Sequence, residues 1–344
     1  MLWFWIGFVA FVLVMLALDL GVFHREAHTV SFKESAVWVS IWVALAVVFG
    51  ACIPFYHEHG TKAAIEFFTG YILEQSLSMD NVFVIALIFA YFRVPQQYQH
   101  RVLFWGIIGV LVMRGAMIGI GAQLINQFHW ILYVFGAFLI YTGFKMAFAG
   151  EEDDIAPDQN FVVRLVKRFI PVHTQFDGQN FFTRIDGKLF ATPLFVVLMI
   201  VETTDLIFAV DSIPAIFGVT TDSFIVFTSN VFAVLGLRSL YFLLAGAMGL
   251  FRYLKLGLSI VLIFVGVKML ELHHHLLPHD HPVAHFLDEY KHTISLSVIV
   301  GVLTISVIAS LIAAKHDPHP EASGEEPALP PDSPLVDPTT DPIP

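Results

Sequence analysis

The feature that most constrains this chain is a series of long apolar segments that recur along most of its length. Windows of about 20 residues, long enough to cross a bilayer, lie near residues 2–22, 36–56, 64–92, 102–122, 129–148, 189–217, 224–248, 256–272 and 294–313. Within hydrocarbon each backbone N–H and C=O must be paired inside the segment, which favours helices. We therefore predict an all-α polytopic membrane protein with about nine transmembrane helices.

The composition excludes several other classes of protein. Only 14% of the residues are charged and the mean hydropathy is +0.74, whereas about a quarter of a soluble domain is charged. The single cysteine, Cys52, can form neither an intramolecular disulfide nor a four-thiolate zinc site. We find no basic nucleic-acid patch, no nucleotide-binding motif, no HExxH pattern and no catalytic triad. We therefore expect the chain to be no enzyme, with the lipid bilayer as a partner and no nucleic acid.

Lys and Arg residues are distributed unevenly between the loops. Twelve lie in the loops after the first, third, fifth and seventh segments and in the tail, whereas the opposite loops hold only Lys62 and Lys291. Because positively charged loops stay in the cytoplasm, the pattern predicts an N-terminus outside the cell and a C-terminus in the cytoplasm.

Segments 3–5 and 6–8 resemble two copies of one unit. Each copy carries an acid, then an Arg, then Gly-x-Lys-Met, at offsets of 131, 124 and 123 residues. The matched sequences are SMDNVFVI (78–85) with AVDSIPAI (209–216), GVLVMRGAM (109–117) with AVLGLRSLY (233–241), and TGFKM (142–146) with VGVKM (265–269). Since a unit has three helices, the second copy must enter the membrane from the opposite side, which predicts an inverted repeat of the kind found in secondary transporters. Chance similarity between apolar helices is the alternative.

These patterns divide the chain into seven regions. They are two N-terminal helices (1–63), repeat 1 (64–148), a cytoplasmic loop (149–188), repeat 2 (189–272), an outer His-rich loop (273–293), the ninth helix (294–315) and a disordered cytoplasmic tail (316–344). The tail is rich in Pro, Asp and Glu and has little to bury. Within the 149–188 loop we expect a short amphipathic, interfacial segment.

Five carboxylates lie inside the third and sixth segments, namely Glu74, Asp80, Glu202, Asp205 and Asp211. Each costs at least about 2.5 kcal/mol at the bilayer centre, so passive structure is a poor explanation for all of them. Glu74 and Asp80, like Asp205 and Asp211, are six residues apart and point more than a right angle apart on a regular helix. A single cluster therefore needs a broken helix, and Pro214 is the candidate breaker.

A surplus of carboxylates with neutral oxygens, without sulfur, is the ligand set of a hard divalent cation such as Mg²⁺, Ca²⁺ or Mn²⁺. Further oxygen ligands could come from Ser78, Asn81, Thr203 and Ser212. Four bases inside the segments would tune the charge of the site, namely Arg114, Arg238, Lys145 and Lys268. The alternative is that these acids and bases pair only to hold helices together.

A loop at the predicted outer face is rich in histidine. Its sequence, HHHLLPHDHPVAH (273–285), contains His273, His274, His275, His279, His281 and His285, and a second outer loop holds His57 and His59. Such loops bind transition metals loosely and titrate near neutral pH. A metal-binding vestibule, a pH sensor and a simple polar loop all remain open.

Three stretches, LDLGVFHRE, EQSLSMDNVFVI and VETTDLIFAVDSIPAIF, resemble the TerC family of membrane proteins, and within it the Alx type of predicted manganese exporters. The resemblance covers about residues 1–313. It implies a bacterial inner-membrane location, a link to tellurium resistance or alkaline stress, and functional acids at the five carboxylate positions given above.

Our leading hypothesis is a secondary transporter that exports a divalent cation, with Mn²⁺ first, through an acidic site between the third and sixth helices. The ion is then substrate, with no cofactor. Protons or the membrane potential would drive export. The alternative is a membrane scaffold or assembly factor of a metal, tellurite or alkaline stress-resistance complex, with the 149–188 loop as the surface for membrane-protein partners.

Overall fold

The structure is a computed structural model that describes residues 2–21, 32–148, 171–173, 175–185, 187–244, 253–270 and 290–316. Within these ranges the helices are α1 (Leu2–Gly21), α2 (Phe32–Tyr56), α3 (Gly60–Tyr91), α4 (Gln96–Gln127), α5 (Ile131–Phe148), α6 (Pro193–Phe217), α7 (Ser223–Leu235), α8 (Leu237–Leu244), α9 (Leu254–Met269) and α10 (Lys291–His316). A hairpin of two antiparallel strands, β1 (Phe182–Ile185) and β2 (Lys188–Ala191), precedes α6.

Every predicted apolar segment contains a helix, and the prediction of an all-α polytopic membrane protein is confirmed. Among the described residues six helices are long and apolar enough to cross a membrane: α2, α3, α4, α5, α6 and α10. The bent pair of α7 and α8 makes a seventh if it is one span. The exact number of nine crossings stays a prediction.

Burial separates the central helices from the peripheral ones. In the apolar stretches of α3 and α6, 61% and 50% of residues are buried, against 22% in α2 and 17% in α5. In α7, ten of the eleven residues from Phe224 to Val234 are also buried, and Phe227 is the exception. Helices that carry polar groups are therefore enclosed by helices whose apolar side chains face outward, as hydrocarbon surroundings require.

The central helices α3 and α6 run antiparallel. Three contacts at successive levels show this: Glu66 meets Thr220, Gly70 lies beside Ile216, and Asn81 meets Asp205. As residue numbers rise along α3, those of its neighbours in α6 and the turn after it fall.

The helix break lies in the seventh segment and not at the expected place. We expected Pro214 to interrupt the sixth helix, but α6 continues through it and ends at Phe217. A proline removes one hydrogen bond, and so close to the C-terminus few further bonds depend on it. The bend of 41° instead separates α7 from α8, at Gly236.

Small residues allow α5 and α9 to pack closely. A β-carbon on Gly266 would lie 2.6 Å from the Gly136 carbonyl oxygen, and one on Gly143 would lie 2.9 Å from that of Ser259. The offset of 123 residues converts Gly143 into Gly266 and Gly136 into Ser259. Applying the offset to one contact therefore gives the other, which is what two repeats related by a two-fold axis would show. The inverted repeat itself stays a prediction.

The described part of the 149–188 loop contains the first strand and the turn of a β-hairpin, which we did not predict. Phe182 pairs with Ala191 and Ile185 with Lys188, and Gly187 has a φ of +76° in the turn. The sequence Asp186-Gly187 between two apolar runs is a hairpin signal. Residues 149–170 of this loop and residues 317–344 of the tail lie outside the described residues. The expected amphipathic segment and the expected disordered tail therefore stay predictions.

Candidate cation site in the helix bundle

Arg114 of α4 lies at the centre of a buried polar cluster. Its Nε and Nη2 atoms donate to the two oxygens of Asp205 in α6, at 3.1 and 2.9 Å. Its Nη1 atom donates to Glu74 in α3 and, at 3.4 Å, to the Asn230 side-chain oxygen in α7. The amide of Asn81 donates to Asp205 at 3.1 Å. One guanidinium thus joins four helices through bidentate and single hydrogen bonds.

This cluster is almost completely removed from solvent. Glu74 is 0% exposed, Arg114 2% and Asp205 5%. Each of the three also lies near the middle of a helix that can span the membrane. Two carboxylates face one guanidinium here, so the ionised cluster carries a net negative charge. Burial of such a charge costs several kcal/mol unless another cation or a proton compensates it.

Several oxygens around the cluster have spare capacity. Among the described residues the Glu74 Oε2 atom and the hydroxyls of Ser78 and Ser212 are buried without a hydrogen-bond partner. Buried polar atoms are normally paired. Their lone pairs are therefore available to a bound ion or water.

Asp80 and Asp211 lie apart from Arg114. Six residues along a helix is about 9 Å, and because α3 and α6 are antiparallel, Asp211 lies near the level of Glu74 and Asp80 near that of Asp205. Asp211 faces α5, where the Thr142 hydroxyl is 3.3 Å from its Oδ1 atom and Lys145 is within electrostatic range. Asp80 is within electrostatic range of Lys255 in α9. These four of the five carboxylates thus occupy two levels, each with a central and a lateral acid.

Glu202 packs against the backbone of α4. A β-carbon added to Gly109 would overlap the Glu202 carboxylate, so glycine provides the space for it. Its Oε2 atom is buried without a hydrogen-bond partner in the described part of the chain. The neighbouring Thr203 hydroxyl donates to the Met199 carbonyl oxygen at 2.7 Å, within its own helix.

The other predicted bases lie at several places in the bundle, and Arg238 lines a small cavity together with Asp205. Arg238 of α8 is 3.0 Å from the His100 ring. Lys268 lines a cavity at one end of the bundle. The structure therefore brings together Glu74, Asp205, Asn81 and Arg114. Asp80, Asp211, Glu202, Arg238 and Lys145 lie outside this group, and Lys268 lies at the end of the bundle. Their roles in ion binding stay predictions.

A small cavity lies beside Asp205. It has a volume of about 20 Å³ and is also lined by Asn81, Thr204 and Arg238. That volume suffices for one water molecule, and also for one desolvated ion. The rest of its wall is apolar, with residues such as Ile107 and Val201, so polar groups form only a minor part of the lining.

A larger cavity of about 550 Å³, here called the end cavity, opens at the end of the bundle where α3 begins and α6 ends. Glu66 lies at its wall, where it accepts from Thr220 at 2.7 Å. Glu66 is eight residues, or about 12 Å, from Glu74. Between these levels lie Leu73, Ile213 and Ile216, which are at most 4% exposed. We call these three residues the apolar layer, and it separates the end cavity from the central cluster.

Sequence reasoning missed some contributors. Asn230 accepts from Arg114 and Thr142 donates to Asp211. In each case a polar side chain inside an otherwise apolar segment was the available signal. The six histidines of residues 273–285 are outside the ranges that the structure describes. His57 and His59 of the second outer loop, in contrast, lie within the described residues and are considered below.

Comparison with known proteins agrees with this architecture. Residues 59–318 match the Integral membrane protein TerC family. An uncharacterised membrane protein of Myxococcus xanthus is 51% identical over 318 residues, which cover 92% of this chain and 95% of the relative. A protein of Escherichia coli K12 named as a candidate membrane-bound redox modulator, Alx, is 44% identical over 91% of this chain and 96% of its own length. An uncharacterised membrane protein of Rickettsia bellii is 40% identical over 90% of this chain and 97% of the relative.

No solved structure matches the chain. The family match covers well over half of the sequence, and these relatives align over nearly their whole lengths. The chain is therefore a multi-pass integral membrane protein that belongs to the TerC family.

Proposed function

We propose that this protein is a secondary transporter that exports a divalent metal cation, with Mn²⁺ as the first candidate. The observation that carries the proposal is the charge imbalance at the centre of the bundle. Glu74 and Asp205 share the single guanidinium of Arg114 at mid-helix. A fixed pair of carboxylates with one internal cation is one positive charge short of neutrality, and a transported cation or proton would supply it.

Arg114 and the ion would compete for the same oxygens. Without an ion, Arg114 compensates the carboxylates and keeps the cluster compact. An arriving cation would bind the unpartnered Glu74 Oε2 atom and the nearby hydroxyls, and its charge would weaken the hold of Arg114. Buried carboxylates are costly without a compensating positive charge. Because either Arg114 or the ion would supply that charge, the carboxylates would not be left uncompensated during transport.

The donor atoms favour a hard or borderline-hard cation. Carboxylate, amide and hydroxyl oxygens surround the cluster, and these suit Mg²⁺, Ca²⁺ and Mn²⁺ better than Cu²⁺ or Zn²⁺. The relative from Escherichia coli is named for a redox role, and Mn²⁺ is redox-active among these ions. Control of a redox-active metal would alter cellular redox balance without a dithiol, and this chain has only one cysteine.

The direction and location complete the proposal. We place the protein in the bacterial inner membrane with its N-terminus outside, so that the end cavity faces outward. The apolar layer would then close the outer side in the present conformation. Release would require the α3 and α6 units to move relative to one another, driven by protons or by the membrane potential.

The test is the metal content of cells under Mn²⁺ load. Cells expressing the wild type are compared with cells expressing Glu74→Gln/Asp205→Asn, and with Glu58→Gln as a matched control at an exposed loop carboxylate. Intracellular Mn, Mg, Ca, Fe and Zn are measured by mass spectrometry at equal protein levels. We expect a selective fall in Mn with the wild type and the control, and none with the double variant. Equal metal contents in all strains would overturn the transport proposal, and export by the double variant would overturn the assignment of the site.

A further inference from the structure

A second group of metal-ligating side chains lies at the end cavity. His57 and His59 are in the loop between α2 and α3, and Asp222 precedes α7. One ligand atom from each of the three residues lies within 4.8 Å of the others. His59 and Asp222 also line the end cavity, so the group is accessible from it.

The Nε2 atom of His57 lies close to Asp222 without forming a well-directed hydrogen bond with it. Its side chain is 2% exposed and its Nε2 atom lies 3.1 Å from the Asp222 Oδ2 atom. In the described part of the chain this buried nitrogen nevertheless makes no properly directed hydrogen bond. A nitrogen and an oxygen bound to one ion at about 2.1 Å each stand about 3.0 to 3.4 Å apart. The observed separation therefore fits two ligands of one metal ion.

Asp222 is held in place by the start of α7. Its Oδ1 atom accepts from the backbone N–H groups of Phe224 and Ile225, at 2.9 and 3.3 Å, as the N-cap of the helix. The second oxygen is thereby directed at His57. This division of the two oxygens fixes one ligand atom before any ion arrives.

We propose that His57, His59 and Asp222 form a binding site for a divalent first-row transition-metal ion at the end of the bundle. Two imidazole nitrogens and one carboxylate oxygen favour such ions over Mg²⁺ and Ca²⁺, which prefer oxygen alone. The remaining coordination positions would be filled by water from the end cavity. This site differs in chemistry and place from the carboxylates around Arg114, and it does not depend on export.

Binding requires a small local change. At present the His59 backbone N–H contacts the His57 Nδ1 atom at 3.3 Å. When Nε2 binds a metal, the neutral ring carries its proton on Nδ1, so this long contact must open. His59 is exposed, and rotation of its side chain can bring its nitrogen to the ion.

The test is Co²⁺ binding to the purified full-length protein, after removal of any polyhistidine tag. The background carries glutamine at residues 273, 274, 275, 279, 281 and 285, which removes loose binding by that loop. Visible d–d absorption reports Co²⁺ bound through imidazole. We expect one Co²⁺ per chain, and at least about tenfold weaker binding in His59→Asn and Asp222→Asn.

The variants separate binding from folding and from the intramembrane site. Asn caps a helix as well as Asp, so Asp222→Asn preserves α7 while it removes the anionic ligand. Glu58→Gln, between the two histidines, and Glu74→Gln/Asp205→Asn should bind Co²⁺ like the background chain. A folded background chain that binds no Co²⁺ would overturn the proposal. So would unchanged affinity in both His59→Asn and Asp222→Asn.

Discussion

Arg114 connects the two halves of the chain through a single side chain. It contacts Glu74 on the N-terminal side of the hairpin and Asp205 and Asn230 on the C-terminal side. Such a cluster is weak evidence for added stability, because replacing all its members by apolar residues often leaves a protein equally stable. Removal of one member is a different matter, since the others stay buried with their charge.

We predict that Arg114→Ala destabilises the protein by about 3 to 5 kcal/mol, because two buried carboxylates lose their cation. Thermal unfolding in detergent would measure this. Arg101→Ala is the control, since Arg101 makes a half-buried cation–π contact, 5.3 Å from the Phe181 ring centre, worth about 0.5 to 2 kcal/mol. The triple variant Arg114→Met/Glu74→Gln/Asp205→Asn should recover much of the loss. A stable Arg114→Ala would show that the carboxylates are already protonated in the folded state.

Gly109 offers a second test at the residue scale. A methyl group at this position would overlap the Glu202 carboxylate, so we expect Gly109→Ala to displace Glu202 and to reduce transport. The neighbouring Gly106→Ala is the control, because the nearest atom to its added β-carbon, from Val201, is 3.8 Å away. Metal content of loaded cells is the readout. If Gly109→Ala exports as well as Gly106→Ala does, Glu202 has no part in the pathway.

At the level of the helices, sequence reasoning was most successful where composition alone decides. Long apolar segments predicted helices at all nine positions because lipid leaves the backbone few alternatives. Loop and break positions depend on tertiary packing, which the sequence does not display. Pro214 is tolerated in α6, whereas the bend lies at Gly236 in a segment that we read as continuous.

The site was predicted in part for the same reason. Glu74, Asp205 and Arg114 were identified as charged residues that lipid cannot accommodate alone. Their partners follow from the antiparallel crossing of α3 and α6, which no local pattern encodes. Asn230 lies 116 residues from the arginine that it contacts, so only the folded chain brings the pair together.

The close contact of α5 with α9 gives a prediction for these elements. Gly266→Leu should prevent their approach, because an added β-carbon would already lie 2.6 Å from the Gly136 carbonyl oxygen. We expect a lower yield of folded protein and a thermal unfolding midpoint reduced by several degrees. Gly119→Leu is the matched control, since no atom lies within 4 Å of a β-carbon added there. Equal loss of stability in both variants would mean that helix propensity and not the contact is responsible.

For the whole molecule, the distribution of Lys and Arg predicts its orientation. In a Cys52→Ser background, Glu58→Cys and Lys188→Cys place single thiols at exposed positions on opposite sides of the predicted membrane. A membrane-impermeant maleimide applied to intact cells should label Glu58→Cys, because its loop is predicted to lie outside. Lys188→Cys should react only after permeabilisation. The reverse pattern would contradict the predicted orientation and would place the end cavity at the cytoplasmic face.

The end cavity also shapes the electric field across the membrane. In the proposed orientation, water in this cavity would carry the outside potential inward to Glu66, so the voltage would fall over the remaining depth of the bundle, which begins with the apolar layer. Moving one charge across the whole potential corresponds to about 2.3 kcal/mol per 100 mV, and a divalent ion doubles this. Outward passage of such an ion alone would slow steeply as the cell interior becomes more negative. An exchange of one divalent ion for two protons would carry no net charge, and its rate would then be nearly independent of voltage.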